Sequence, residues 1–438
     1  MSPAAFEALA VAKRGDGLTW LDGGGQGALG RLSHLGWGPS TLSLARLGDG
    51  DPFAPLRIAP APFVGAREVM RASVAIGYDA TWSCPSRLGV RTPPRLERDP
   101  SSIVSWSRTY DAAMVYDHEG ERARFAGVDA AALERVMDEA MAPASPSRPA
   151  ISLALTEVEA PSIHRARILS ALDAIARGDL YQVNLARPFS GTYRGEPMAL
   201  MLAMRAASPV PLGAMMEGPE GITLIARTME RFLSIDRDGR IESRPIKGTI
   251  DVRPDAASAL LGSEKERAEH AMIVDLVRND LGRICQAGSV RTPSLFAVEP
   301  YAHLSHLVSV IEGQVREGMT LDQVLDATFP PASVSGAPKL AAIEHIERFE
   351  AHPRRFYTGA LGMIGWDKSV SLAVAIRTAE LRLLRSGTGR GDEGAFTYFA
   401  GGGIVEASDP DCEVEETDLK ARALLDAARA LKAADRPR

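Results

Sequence analysis

The feature that most constrains the fold is a change in the character of the chain at residues 141–150. This stretch holds three prolines and two serines, which is typical of an exposed connection. Before it, residues 1–140 consist of short apolar runs among glycines and prolines, as in strands joined by turns. After it, helical patterns mix with β-like runs without a strict strand–helix–strand rhythm. We therefore expect an α+β fold, rather than a doubly wound sheet, with an N-terminal part over 1–140 and a catalytic part over 150–438.

Local signals predict several elements in the second part. Ser263 and Glu266 have the spacing of a capping box at a helix start, and Pro338 and Pro410 suit the first turn of a helix. Expected helices span 162–177, 263–283, 338–349 and a last segment that starts near 408 and continues through 431. Expected strands span 371–376 and 396–399, with Gly401, Gly402 and Gly403 as the turn after the second strand.

Composition excludes several classes of protein. Of the 438 residues, 45% are hydrophobic and 24% are charged, which excludes a mainly disordered chain. The formal charge of −6 creates no field that favours nucleic acid or an anionic membrane, so we expect neither partner. No run approaches the roughly 20 apolar residues that span a bilayer. The three scattered cysteines suit a reducing compartment, and the first residues lack the pattern of a signal peptide, so we expect a soluble, cytoplasmic protein.

Residues 25–30 match the G-x-G-x-x-G pattern of dinucleotide-binding proteins. In those proteins the pattern opens a helix whose N-terminus holds the pyrophosphate. Here Gly36, Gly38 and Pro39 follow within ten residues, which leaves no room for a useful helix. We therefore expect a flexible glycine-rich turn, and we disfavour a dinucleotide-dependent oxidoreductase.

Two acidic pairs lie near expected helix starts. Glu266 and Glu269 are three residues apart and share one helix face, and Glu413 and Glu416 repeat that spacing on the last helix. Taken alone, each pair is explained by favourable charge at a helix N-terminus. Together they would place carboxylates from two helices around a hard cation such as Mg²⁺, which takes one or two protein carboxylates plus waters and an anionic ligand.

A series of unusual strings lies in one order along the second part. The strings are 178–185 (GDLYQVNL), 244–249 (RPIKGT), 268–283 (AEHAMIVDLVRNDLGR), 306–309 (HLVS), 333–339 (SVSGAPK), 375–378 (AIRT), 400–405 (AGGGIV) and 413–417 (EVEET). This series resembles the chorismate-utilising enzymes, which include component I of anthranilate synthase, component I of aminodeoxychorismate synthase, and the isochorismate and salicylate synthases. The resemblance covers about residues 150–430, with a weaker similarity before them.

The resemblance implies a fold of two antiparallel β-sheets packed around a core, with helices outside, and it implies chorismate as ligand with Mg²⁺ as a required ion. Glu269 and Glu416 match the residues that bind the metal directly, and Glu266 and Glu413 match the residues behind them. The positions that match the substrate site are Arg377, Tyr357, Ser333, Gly401, Gly402, Gly403, Gln182 and Thr249. His306 matches a family histidine near the ring.

Three positions bear on the reaction. Members that use water carry a lysine where this chain has Gln182, and an amide cannot deprotonate water, so ammonia is the expected nucleophile. Members that aminate C4 of the ring carry a lysine where this chain has Lys247, which would attack C2 as the C4 hydroxyl leaves. Glu230 matches the general acid that protonates that hydroxyl, although its Thr-Met-Glu differs from the family's Ser-Pro-Glu.

The resemblance therefore implies amination of chorismate to 4-amino-4-deoxychorismate, a step toward 4-aminobenzoate and folate. The alternatives are anthranilate synthase component I, another ammonia-dependent enzyme that aminates chorismate, and a non-catalytic relative that only binds ligand or partner. No cysteine lies in a segment typical of a glutamine amidotransferase, so we expect a separate amidotransferase subunit to supply ammonia.

Overall fold

Strands dominate the structure, and helices lie between them in the sequence at irregular intervals. The computed structural model describes residues 1–87, 89–90, 94–144, 147–300, 304–386 and 392–434, and only the main chain at 157, 249, 251, 265, 304, 433 and 434. The first strands are β1 (Thr19–Asp22), β2 (Leu32–Gly36), β3 (Thr41–Arg46), β4 (Val64–Gly65), β5 (Met70–Ile76), β6 (Ile103–Thr109), β7 (Ala112–Asp117), β8 (Arg122–Gly127), β9 (Ile151–Val158), β10 (Gln182–Gly195) and β11 (Leu212–Glu217). The others are β12 (Ile222–Thr228), β13 (Arg231–Ile235), β14 (Arg240–Arg244), β15 (Ile246–Asp251), β16 (Arg291–Pro300), β17 (Leu304–Gln314), β18 (Gly336–Ala337), β19 (Ala360–Gly365), β20 (Val370–Val374), β21 (Thr378–Arg385) and β22 (Glu393–Ile404).

The α-helices are distributed over both parts of the chain. They are α1 (Pro3–Ala12), α2 (Ala130–Met141), α3 (Pro161–Ala176), α4 (Pro197–Ala207), α5 (Ala256–Gly262), α6 (Glu264–Gly282), α7 (Leu321–Thr328), α8 (Lys339–Phe349) and α9 (Pro410–Ala434). None of the helices in the described residues is long and apolar enough to cross a membrane.

The strands form two antiparallel sheets. In the first sheet the order is β18, β10, β22, β21, β12, β11, β1, β2, β7, β8, β4, and β9 also pairs with β10. In the second sheet the order is β15, β17, β14, β13, β20, β19, β5, β6, β3, and β16 also pairs with β17. Strands from before and after residues 141–150 occur in both sheets, so the two parts of the chain share both sheets. The boundary between 1–140 and 150–438 stays a prediction.

The core has a layer between the sheets and layers beneath the helices. Trp106 of β6 packs against Phe356, with ring centroids 4.7 Å apart, in a cluster that also includes Met216 of β11. On the outer face of the first sheet, α1, α2, α4 and α9 bury their apolar sides, and α3 and α8 cover β10. On the second sheet, α6 and α7 pack against β13, β14 and β20. The expected α+β fold of two antiparallel sheets with helices outside is confirmed.

The predicted local elements agree with the structure except at the glycine triplet. The helices begin and end within about three residues of the predicted bounds, and the strand predicted over 396–399 is longer, over Glu393–Ile404. The Ser263 hydroxyl accepts the N–H of Glu266 at the start of α6. Residues 25–30 form turns without a helix, as expected. The prediction that residues 401–403 form a turn is wrong, because they continue β22 as far as Ile404.

Candidate active site

The glycine triplet lies where β22 runs beside β10. Gly401 pairs with Ala186, Gly402 with Leu185 and Gly403 with Asn184. A Cβ on Gly401 would lie 2.5 Å from the carbonyl oxygen of Leu185, which is too close for any side chain. Glycine is therefore required here by close approach of two strands, and not by a turn.

Gln182 and Lys247 meet at Gly403. A Cβ on Gly403 would lie 2.5 Å from Nε2 of Gln182 and 2.9 Å from Nζ of Lys247. Gln182 belongs to β10 of the first sheet and Lys247 to β15 at the end of the second, so the two sheets meet at this point. The Gln182 side chain is fully buried, and neither of its amide atoms has a hydrogen-bond partner among the described residues. A buried amide without a partner costs stability, which is typical of a group that serves a ligand.

The strand that carries Lys247 is distorted beside it. The register of β15 against β17 shifts between Lys247 and Thr249, and the intervening Gly248 has a φ of +67°. The position of a Cβ on Gly248 is 3.1 Å from Oε2 of Glu266, so a helix carboxylate lies directly against this distortion. The main chain of Thr249 pairs with His306, and its side chain lies outside the described part of the structure.

The second acidic pair lies against the glycine strand. A Cβ on Gly402 would be 3.1 Å from Oε2 of Glu413 and 3.4 Å from Oε2 of Glu416. The buried Glu413 also accepts a 2.7 Å hydrogen bond from Ser408. Burial opposes ionisation of Glu416, but the ammonium of Lys420, 2.7 Å away, holds the pKa of that carboxyl below its usual value, with help from the charge of Lys247.

These carboxylates suit a magnesium ion that shares its coordination with a ligand. The described residues contain no group of three or more His, Cys, Asp or Glu side chains that could hold a metal on their own. Mg²⁺ commonly takes only one or two protein carboxylates and fills its other positions with water and substrate oxygens. Glu413 and Glu416 lie together at the glycine strand, and Glu266 lies at the strand of Lys247, so one or two of these oxygen donors fit such an ion. Glu269 is half-buried one turn beyond Glu266 on α6.

Glu230 is a buried acid in the same region. Its side chain is 5% exposed, and burial raises the pKa of its carboxyl to about 7. A hydrogen bond with Ser333 and the charge of Lys247 act in the opposite direction but do not overcome burial. A carboxyl with this pKa is partly protonated at neutral pH and can donate a proton to a leaving group.

His306 is a neutral group at neutral pH. Burial lowers the pKa of its imidazole to about 4, and the positive charge of Arg377 adds to the effect. A hydrogen bond with the main chain of Gly248 opposes the shift. The ring therefore contributes no positive charge to the pocket at pH 7.

Arg377 has no carboxylate partner among the described residues. Burial lowers the pKa of its guanidinium, and the structure shows no ion pair for it among the described residues. Its φ of +49° is a left-handed conformation that costs of order 1–3 kcal/mol for a residue with a Cβ. Strain and a half-buried charge with no ion pair among the described residues together suit a residue that is held to bind an anion. The nearby ring of Tyr357 stacks on Phe399 at 5.3 Å, two residues before the glycine triplet.

One residue of the site was missed from the sequence. Lys420 donates to the carbonyl of Gly401 at 2.8 Å and pairs with Glu416 one helical turn before it. The i,i+4 spacing of Glu416 and Lys420 was a signal for the ion pair. Its hydrogen bond to the glycine strand depends on how α9 packs, which no local pattern encodes.

Taken together, the site lies where β10 and β22 of the first sheet meet β15 of the second. It brings together an amine, a buried protonatable carboxyl, a guanidinium and carboxylates at two helix starts. The chain belongs to the family of chorismate binding enzymes, whose model matches residues 65–426. The predicted family membership is confirmed.

Individual relatives agree with this family. Anthranilate synthase component 1 of Streptomyces coelicolor is 33% identical over an alignment of 448 positions, which covers 93% of this chain and 83% of that protein. Aminodeoxychorismate synthase of Streptomyces griseus is 34% identical over 373 residues, which cover 80% of this chain and 49% of that protein. The chain spans about half the length, or less, of several curated relatives that it matches.

A solved structure supports the same conclusion about the fold. Anthranilate synthase component I from Streptococcus pneumoniae superposes with a TM-score of 0.72 at 28% identity, over 90% of this chain and 92% of that one. The two-sheet architecture is therefore shared over nearly the whole chain.

Proposed function

We propose that this chain is the component I of an aminodeoxychorismate synthase, which converts chorismate and ammonia to 4-amino-4-deoxychorismate and water. The observation that carries the proposal is the position of the Lys247 amine, against Gly403 and beside the buried amide of Gln182. Relatives named as aminodeoxychorismate synthases, such as the Escherichia coli component 1 at 38% identity over 254 residues, support this assignment.

The first step uses Lys247 as the nucleophile. Its amine forms a bond to C2 of the ring, both ring double bonds shift toward C4, and the C4–O bond breaks. Glu230 gives its proton to the departing hydroxyl, which leaves as water, and a pKa of about 7 suits that donation. Gln182 has no basic lone pair, which disfavours attack by water in place of the amine.

In the second step ammonia forms a bond to C4, and the bond between C2 and Lys247 breaks to release the free amine. The product carries nitrogen at C4, and one water has been lost. Arg377 supports this assignment as the group that would grip one carboxylate of chorismate, because a guanidinium offers two parallel hydrogen bonds.

The other carboxylate would be shared with Mg²⁺. Glu269 and Glu416 would hold the ion, with Glu266 and Glu413 beside them, and Lys420 fixes Glu416 in place. When bound, the ion neutralises the charge of the ring carboxylate. We propose that a separate glutamine amidotransferase subunit supplies the ammonia.

The product tests the proposal directly. The purified chain is incubated with chorismate, Mg²⁺ and ammonium at alkaline pH, and the products are separated and identified by mass and ultraviolet spectrum. We expect an aminated product that retains the pyruvyl group and yields 4-aminobenzoate only after an independent lyase is added. Release of anthranilate as the main product would contradict the proposal in favour of C2 amination.

A further inference from the structure

A small cavity lies behind Glu230, between the second sheet and α6. Its volume is about 20 Å³, and its lining includes Glu230, Phe232, Ser243, Val277, Asp280 and Ser333. A cavity needs at least about 10–15 Å³ on this measure to hold one water-sized molecule. The space therefore has room for about one water-sized molecule.

The lining favours a neutral molecule over an ion. Most of the exposed surface of the cavity is apolar, and Val277, one of its lining residues, is buried. Transfer of an unpaired ammonium ion into such a space carries a large desolvation cost, whereas a neutral molecule pays only for its hydrogen bonds. Asp280 is already engaged, because Lys339 donates to it at 2.5 Å. The acidic group that remains to receive a hydrogen bond in the cavity is Glu230.

Glu230 links this cavity to the reacting groups. The same carboxyl that lines the cavity interacts with Ser333, with the N–H of Ile246 and with the charge of Lys247 in the adjacent position. Only the side chain of Glu230 therefore separates a molecule in the cavity from Lys247, the nucleophile of the first step. Ser333 lines the same cavity, and its hydrogen bond with Glu230 helps to hold the carboxyl between the cavity and Lys247.

We propose that this cavity holds the ammonia molecule immediately before it attacks C4, with Glu230 as its proton acceptor. The inference rests on the proposed function. In the first step Glu230 loses its proton to the C4 hydroxyl and becomes a carboxylate. In the second step the nitrogen of ammonia bonds to C4, the bond from C2 to Lys247 breaks, and Glu230 takes one N–H proton. The acid is thereby restored, and no other reactant is required.

Adding one methylene to the cavity tests the proposal. Val277→Leu places a carbon into the space, and Val274→Leu is the matched control, since Val274 is 6% exposed on the same helix but is not part of the lining. We expect Val277→Leu to raise the ammonium concentration for half-maximal rate about tenfold, because the added carbon competes with ammonia for the space. Formation of the Lys247 adduct from chorismate without ammonium should stay within about twofold of wild type for both variants.

Enlarging the cavity provides a second, independent measurement. Val277→Ala should accept methylamine, which has two non-hydrogen atoms, and should raise its rate relative to ammonia by about tenfold over wild type. This variant decides the question even where Val277→Leu folds poorly. Equal ammonium dependence of Val277→Leu and Val274→Leu, or an unchanged methylamine preference in Val277→Ala, would overturn the assignment and leave the cavity as a site for structural water.

The test separates this inference from the proposed function. Formation of a 2-amino product would overturn C4 amination. Ammonium dependence can be measured on any aminated product, so the Val277 variants would still show whether the cavity holds ammonia. Conversely, the Val277 variants could leave ammonium use unchanged while adduct formation and 4-amination are normal. That result would overturn the role of the cavity and leave the proposed function intact.

Discussion

The Nζ atom of Lys247 lies 2.9 Å from the point where a Cβ on Gly403 would stand. The two residues belong to different sheets, and the absence of a side chain at Gly403 leaves the space that the amine occupies. Nε2 of Gln182 lies within 2.5 Å of the same point. The position of the proposed nucleophile therefore depends on a glycine that is more than 150 residues away in sequence.

Gly403→Ala tests this dependence. The new methyl group would collide with Lys247 and Gln182, so we expect the amine to be displaced and the rate of adduct formation to fall at least about tenfold. The chain should remain folded, because the two colliding atoms are ends of side chains. Gly282→Ala is the control, since nothing lies within 4 Å of a Cβ at that position. Near-normal adduct formation in Gly403→Ala would show that Lys247 reacts from another position.

The raised pKa of Glu230 predicts how the stability of the protein depends on pH. Its folded-state pKa of about 7 is above the ordinary value of 4.5, so the folded protein binds more protons and loses stability as pH rises from about 4.5 to 7. Glu230→Gln removes this loss, so the variant should gain up to about 3 kcal/mol on wild type above pH 7 and less near pH 5. Urea unfolding at a series of pH values measures the difference.

The control for this measurement is Glu134→Gln, on the exposed side of α2. It should change stability by less than about 0.5 kcal/mol at every pH. A difference between Glu230→Gln and wild type that does not grow with pH would mean that the Glu230 carboxyl is ionised in the folded protein at pH 5.

The acidic pairs predict a magnesium site with contributions from two helices. Glu416→Gln keeps the size of the side chain but removes its charge, so we expect activity to fall by more than the 10–100-fold that is typical of groups behind a ligand. With chorismate present, Mg²⁺ should raise the melting temperature of wild type but not of this variant. Glu415→Gln, an exposed neighbour, should behave as wild type. An unaltered Mg²⁺ response of Glu416→Gln would show that Glu413 and Glu416 contribute only favourable charge at the start of α9.

Much of this arrangement is visible in the sequence where the signal is local. Ser263 lies at the start of α6 because its hydroxyl accepts the N–H of Glu266, and the sequence alone indicates that cap. Three successive glycines predict a turn, because glycine is common in turns. In the structure they are required by the neighbouring strand, since a Cβ on Gly401 would lie 2.5 Å from the carbonyl oxygen of Leu185. No short pattern encodes a contact between residues that are more than 200 positions apart.

The electrostatics of the site is equally non-local. The sequence indicates Glu230 as a general acid only through resemblance, since its raised pKa comes from burial beneath segments that are distant in the chain. The hydrogen bond from Lys420 to Gly401 and the small cavity behind Glu230 depend in the same way on packing between elements. Spacing along the chain therefore indicates which residues are candidates for the site, and the fold determines what surrounds them.

Arg377 should act on substrate affinity. Arg377→Lys keeps the charge but loses the paired hydrogen bonds of the guanidinium, so we expect the KM for chorismate to rise about tenfold or more, with a smaller effect on kcat. Both residues carry a Cβ, so the strain at φ +49° is unchanged. Arg385→Lys is the control, because Arg385 is exposed at the end of β21, the strand that begins one residue after Arg377. An unchanged KM in Arg377→Lys would show that the carboxylate of chorismate is bound elsewhere.

Mass spectrometry of the enzyme mixed with chorismate in the absence of ammonia tests the central claim most directly. Without a second nucleophile the adduct on Lys247 has nothing to expel it, so a peptide containing Lys247 should carry the mass of chorismate less one water after quenching and digestion. Ammonium added before the quench should discharge this adduct, and Lys247→Ala should lack it and form 4-amino product far more slowly. Absence of the adduct in wild type, together with near-normal formation of 4-amino product by Lys247→Ala, would contradict the account.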